Sequence, residues 1–153
     1  MDITPLIPLD HIAVGVHAAD KRRVIESVAR HVAEVEDGID ERALFSALMQ
    51  REALGTTGLG RGIAVPHATL PGFRRTVVMV TKLDAPVDYG ATDGEPVGVV
   101  FTLVCGRETQ NAQLRALARI ARLAMRHNLA SELGTLTTGD EVRDRLRALE
   151  LDL

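Results

Sequence analysis

One histidine closes a stretch crowded with groups suited to an anion: Gly55-Thr-Thr-Gly-Leu-Gly-Arg-Gly-Ile-Ala-Val-Pro-His67, with Arg51 shortly ahead of it. Gly55, Gly58, Gly60 and Gly62 carry no Cβ to hold the backbone off a ligand, and they permit positive-φ turns that aim amide N–H groups at an anion. Pro66 fixes its own φ and favours extended backbone at Val65, so His67 is expected at a stiff strand end. Glycine count alone implies only a tight turn. The chemistry rests on the histidine and arginine that the turn brings along.

Several chemistries are excluded by what surrounds the histidine. Gly58-Leu-Gly60-Arg-Gly62 lacks the Gly-Lys-Ser/Thr ending of a triphosphate loop, and it follows a predicted helix where a dinucleotide fingerprint follows a strand. Between Glu52 and Asp84 no other His, Cys, Asp or Glu accompanies His67, so a locally built metal site lacks ligands. Cys105 lies inside an apolar run and suits packing better than nucleophilic work. The plain alternative is a half-buried histidine satisfied by backbone. The chemical one is a neutral imidazole that attacks phosphorus, while amides, hydroxyls and an arginine spread the charge of the phosphoryl oxygens. Thr56 and Thr57 fit either a phosphoryl contact or local turn bonding.

The 153 residues match one ordinary domain, and 46% apolar residues suffice for a core. Only 3% are aromatic, and the net charge is −3, so base stacking and electrostatic pull toward nucleic acid or anionic membrane are both weak. A single cysteine and the absence of a signal-type opening suit the cytoplasm, and no apolar run reaches the ~20 residues of a membrane span.

The elements that must position His67 follow from periodicity. Residues 11–17 alternate Ile12, Val14 and Val16 as a short strand after an irregular lead-in at Pro5 and Pro8. Asp20 caps a helix carrying Val24, Ile25, Val28, Val32 and Val35 until Gly38. Asp40 caps a second, with Leu44, Phe45, Leu48 and Met49 inward, reaching about Arg51 and closing near Gly55. Residues 76–83 and 96–105 are β-branched runs around an Asp93-Gly94 turn and predict neighbouring antiparallel strands. Leu114, Leu117, Ala118, Ala121 and Met125 mark a third helix bearing Arg115, Arg119, Arg122 and Arg126, either a solvated face or a dock for an acidic surface. Asn128 to Leu133 suits a short helical turn, and Gly139-Asp140 opens a last helix with Val142, Leu146 and Leu149 inward. Arg61 reads as a solvated loop charge, and His11, His17, His31 and His127 receive no role. The order predicts an α/β fold: a three-layer α/β/α sandwich around a mixed sheet.

The run from Arg51 to His67, the Tyr89–Val97 turn and the Phe101-Thr-Leu-Val strand together resemble the enzyme IIA proteins of the phosphoenolpyruvate-dependent phosphotransferase system, mannitol/fructose/nitrogen-regulatory class. The likeness spans nearly the whole chain and implies one such domain over residues 1–153. It implies that His67 accepts a phosphoryl group, at Nε2, from a small histidine phosphocarrier of the HPr type, with no cofactor, and that Arg51 is the active-site arginine. It also carries phosphoryl binding to Thr56, Thr57, Gly58, Gly60 and Gly62. Family members usually place a second histidine where this chain has Gln113, which can hydrogen-bond but cannot become cationic near neutral pH.

The free-standing length, the Arg-Glu-x-x-Gly-Thr-Thr pattern and the Lys21-Arg22-Arg23 helix opening resemble the regulatory branch, whose members act through regulated target proteins. The alternatives are a sugar-transport IIA that passes phosphate to an enzyme IIB cysteine, and a binding module that keeps the fold without the chemistry.

Overall fold

The computed structural model describes residues 1–153. Its centre is a pair of antiparallel strands, Val77–Val87 (β5) and Val97–Cys105 (β6), in register from Val77 opposite Val104 to Lys82 opposite Val99. Their runs are apolar on both faces because both faces are covered. Val77, Met79, Val100 and Val104 face one layer, while Val78, Val80, Phe101 and Leu103 face the other. Each fully buried side chain of this kind contributes about 1.5–3 kcal/mol, so a two-faced strand is the natural centre of the fold.

The first layer is made by Lys21–Val35 (α1) and Glu41–Leu54 (α2), which pack Val24, Val28, Leu44 and Leu48 on the sheet. Asp20 and Asp40 cap them by accepting from the amides of Arg23 and Ala43, both at 2.8 Å. The second layer comprises Gln110–Arg126 (α3), Leu129–Gly134 (α4) and Gly139–Leu151 (α5). Strand Ile12–Val16 (β1) runs parallel to β5. On the other flank, short strands Gly58–Gly60 (β2) and Ile63–Ala64 (β3) form a hairpin whose β3 runs parallel to β6, and His67–Thr69 (β4) also pairs parallel with β6. The result is the expected three-layer α/β/α arrangement with a mixed sheet, ordered β1-β5-β6-β3-β2 with β4 beside β6. No helix is long and apolar enough to cross a membrane.

Several local expectations shift. The glycine stretch is partly sheet: Arg61 and Gly62, at φ 56° and 80°, form the two-residue turn of the β2–β3 hairpin, and positive φ at both positions matches the twist of the strands. In β1 a register shift between Ala13 and Val16 breaks the alternation, so Ile12 and Val14 pack on the second layer and Val16 on the first. Helix α3 is rotated from its predicted face: Gln113, Ala116, Ile120, Leu123 and Ala124 are buried, whereas Leu114 and Met125 are exposed. Its arginines do not form a uniform solvated row. Arg119 bonds the Glu150 and Asp2 carboxylates, tying α3 to α5 and the N-terminus. Arg61 is likewise engaged, its guanidinium donating to the carbonyls of Ala124 and Met125 at the end of α3. Asp93-Gly94 lies within a longer β5–β6 connection, where Asp93 accepts from the Arg61 and Glu95 amides.

Candidate functional site

Helix α2 runs one turn beyond its apolar stripe and leaves Arg51 beside the start of β4. Gly55 ends the helix at φ 153°, and its carbonyl accepts from Arg51 Nη1 at 2.8 Å. With that end of the guanidinium fixed, Arg51 Nε donates to His67 Nε2 at 3.3 Å. Across the ring, His67 Nδ1 lies 2.9 Å from the Val65 carbonyl oxygen. A carbonyl only accepts, so Nδ1 carries the proton, and Nε2 keeps its lone pair toward Arg51. The imidazole is held at both ends as the neutral Nδ1–H tautomer. Pro66 and the pairing of His67 with Leu103 on β6 supply the stiff mounting expected of a strand end.

His67 opens onto a depression of about 460 Å³ whose wall includes Gln50, Arg51, Leu54, Thr69 and Gln113. Arg51 is the one charged side chain in this wall, so an anion there meets a cation and no carboxylate. Gln113, in the first turn of α3, is buried, and its Oε1 has no hydrogen-bond partner. The structure thus brings Arg51, His67 and Gln113 together from three separate elements.

The other sequence-predicted site residues lie elsewhere. Gly58, Gly60 and Gly62 belong to the β2–β3 hairpin; the β-position of Gly60 faces the Asp93 carboxylate and that of Gly62 faces Ala130. The amides of Gly55, Thr57, Gly58 and Arg61 all donate within the protein, to the Glu52 carbonyl, the Glu52 carboxylate, the Thr56 hydroxyl and Asp93. Thr57 is buried, with its hydroxyl on Glu52 and 3.0 Å from the Tyr89 hydroxyl.

Glu52 is the residue that sequence reasoning missed. Its carboxylate is buried and accepts from the Thr57 amide at 3.2 Å, the Thr57 hydroxyl, Tyr89 Oη at 2.9 Å and Lys21 Nζ at 2.6 Å. Burial by itself would raise this carboxyl, but the bonds from Lys21, Thr57 and Tyr89 outweigh it and hold the group below its ordinary range. Burial, with the neighbouring Glu52 charge, pushes the Tyr89 phenol well up. A signal was present: Leu44, Leu48 and Glu52 fall four apart on one helix face, and a carboxylate on a buried stripe requires partners.

A doubly positioned histidine beside one arginine, on an α/β/α fold, defines a class of protein. Residues 5–148 match the family "Phosphoenolpyruvate-dependent sugar phosphotransferase system, EIIA 2", and the chain belongs to it. It is similar to the nitrogen regulatory protein of Bradyrhizobium diazoefficiens, with 38% identity over 87% of this chain and 86% of that one. The nitrogen regulatory protein IIA-Ntr of Neisseria meningitidis superposes with a TM-score of 0.87 and 29% identity, covering 94% of this chain and 98% of its own. The mannitol enzyme IIA of Escherichia coli, solved in complex with phosphorylated enzyme IIB, shares the fold at a TM-score of 0.74 and 22% identity, over 91% and 95% of the two chains.

Proposed function

We propose that this chain accepts a phosphoryl group on His67 Nε2 from an HPr-type histidine phosphocarrier and acts as a phosphorylation-dependent regulator of the nitrogen-regulatory type. The observation that carries the reading is the pair of contacts on one ring: Nδ1–H on the Val65 carbonyl and Nε2 toward Arg51. In the transfer, the Nε2 lone pair forms the new N–P bond as the carrier's own N–P bond breaks, and that electron pair returns to the carrier's ring. Positive charge developing on the His67 ring faces the Val65 carbonyl dipole. Arg51, released from Nε2 as the phosphoryl group arrives, turns its N–H fork to the oxygens. Gln113 offers a neutral carboxamide to the same group. Thr56, Thr57 and the glycines Gly58, Gly60 and Gly62 serve by shaping the turn and hairpin that hold this geometry.

Similarity to nitrogen regulatory proteins favours regulation over sugar uptake. The switch is local: phosphorylation places a group bearing about two negative charges on three acceptor oxygens, offset in part by the ring that keeps its Nδ1 proton, in a depression flanked by the exposed side chain of Leu54. Surfaces that dock there before and after the modification therefore differ.

The test is incubation with phosphoenolpyruvate, enzyme I and the HPr-type carrier, followed by intact mass. One acid-labile phosphoryl group on the wild type and none on His67→Ala is expected. A charged carrier with an unlabelled wild type would favour a binding module. Onward transfer from the labelled protein to an enzyme IIB cysteine would favour sugar transport.

A further inference from the structure

We infer that Glu52 is the positioning residue of this site: by clamping the turn at the end of α2, it fixes the hydrogen bonds on both nitrogens of His67. The inference rests on the reading of His67 as phosphoryl acceptor, but its geometry stands separately. Two chains of contacts leave Glu52 and end on the same imidazole.

The first chain runs through the turn backbone. The Glu52 carbonyl accepts from the Gly55 amide at 3.1 Å, the Gly55 carbonyl accepts from Arg51 Nη1, and Arg51 Nε donates to His67 Nε2. The second runs through Thr57. The Glu52 carboxylate holds the Thr57 amide and hydroxyl, the Thr57 carbonyl accepts from the Val65 amide at 2.9 Å, and the Val65 carbonyl accepts from His67 Nδ1. The carboxylate bridges residues 52 and 57, so it fixes the span in which the Gly55 carbonyl is presented. Without it, a turn ended by a glycine keeps only the Thr57–Tyr89 hydroxyl contact at its far end. The Gly55 carbonyl that anchors Arg51, and the Thr57 carbonyl that constrains Val65, would then be less firmly placed.

Lys21 and Tyr89 complete the site from behind. Lys21 Nζ neutralises the carboxylate and lies 4.6 Å from the centre of the Tyr89 ring. Glu52 is 8% exposed, which leaves it too deep to touch a docked carrier, so its effect on transfer passes through orientation and not through binding. Glutamine can satisfy every partner: its carbonyl would accept from the Thr57 amide and Lys21, and its NH₂ would donate to the Thr57 and Tyr89 hydroxyl oxygens. Alanine satisfies none.

The experiment reads the His67 ring directly. Two-bond ¹H–¹⁵N spectra of ¹⁵N-labelled protein report which ring nitrogen carries the proton, and they need no phosphoryl transfer. Wild type and Glu52→Gln are expected to show the Nδ1–H form, and Glu52→Ala a mixture of tautomers. Thr57→Val is isosteric, removes one of the two side-chain links and is expected to fall between them. In the transfer assay, Glu52→Ala should lose about 10- to 100-fold in rate at saturating carrier, with the half-saturating carrier concentration unchanged. An Nδ1–H ring and an undiminished saturating rate in Glu52→Ala would overturn the inference. If that variant does not fold, an unaltered ring in Thr57→Val would overturn it. A wild type that is never phosphorylated would sink the functional reading while leaving the tautomer comparison to decide this one.

Discussion

Arg51 Nε lies 3.3 Å from His67 Nε2, so the only charged side chain lining the depression rests on the ring nitrogen that lacks a proton. A resting contact of this kind holds the lone pair on the guanidinium until an arriving phosphoryl group displaces it. It also stores the cation where phosphoryl charge would develop.

Lysine at position 51 keeps the charge but loses the planar fork, and it cannot hold both the Gly55 carbonyl and a phosphoryl oxygen. Arg51→Lys is therefore expected to slow phosphoryl uptake by about 100-fold, in the range seen when one preorganised donor is removed from a transition state. Rapid-quench kinetics with the charged carrier would check this, and a rate within about twofold of wild type would remove Arg51 from the chemistry.

Gln113 presents a buried carboxamide whose oxygen lacks a partner. Since this group does not titrate, the uptake rate should show no step attributable to position 113 between pH 5.5 and 8. Gln113→His introduces an imidazole with an ordinary value of about 6.5 and should add a pH-dependent limb there. Identical pH profiles for the two proteins would show that position 113 does not contact the transferred group.

The sheet, its two helical coats and the Arg51–His67 pairing were legible because each rests on a local signal: two-faced apolar runs, aspartate caps, and a proline that stiffens the histidine's approach. The rotation of α3 was not. Leu114 and Met125 look inward by composition, yet the buried face is set by Gln113, Ala116 and Ile120, and only tertiary packing distinguishes the two. The hairpin around the glycines was not legible either. Gly60 and Gly62 appear as an anion cradle in sequence, but a hairpin two residues wide and an acceptor 32 residues downstream, Asp93, engage that segment. The place of Glu52 on a buried stripe was legible, but its partners were not, because Lys21 and Tyr89 lie far from it in the chain and Thr57 beyond the helix end.

Gly106 joins β6 to the 3-10 turn Arg107–Thr109 that leads into α3, and thereby places Gln113. A Cβ built there would stand 1.5 Å from the Phe73 carbonyl oxygen, which is backbone and cannot rotate away. Gly106→Ala is expected to destabilise the fold by about 3 kcal/mol, the upper part of the overpacking range. Urea denaturation would measure it, and a loss under about 0.5 kcal/mol would show that the β6–α3 junction yields freely.

Acid should weaken the fold through two buried carboxylates. Burial would raise both Glu52 and Glu150, but hydrogen bonds dominate: Lys21, Thr57 and Tyr89 at the first, and Thr4, Ile3 and Arg119 at the second. Both stand below the ordinary value of 4.5 in the folded chain. Their stabilisation is complete above that value and is lost as pH falls through the depressed folded values. The urea midpoint should hold between about pH 7 and 5 and fall steadily below about 4.5. Glu150→Gln should lower the midpoint at pH 7 and flatten the acid limb; an equally steep limb in the variant would assign acid sensitivity elsewhere.

The most direct measurement is the site of the phosphoryl group itself, read by ³¹P and two-bond ¹H–¹⁵N spectra of the protein charged by its carrier. Phosphorus on His67 Nε2, with the Nδ1 proton retained toward Val65, is the predicted result. Phosphorus on Nδ1, on another residue, or on none while the carrier remains charged would contradict the account.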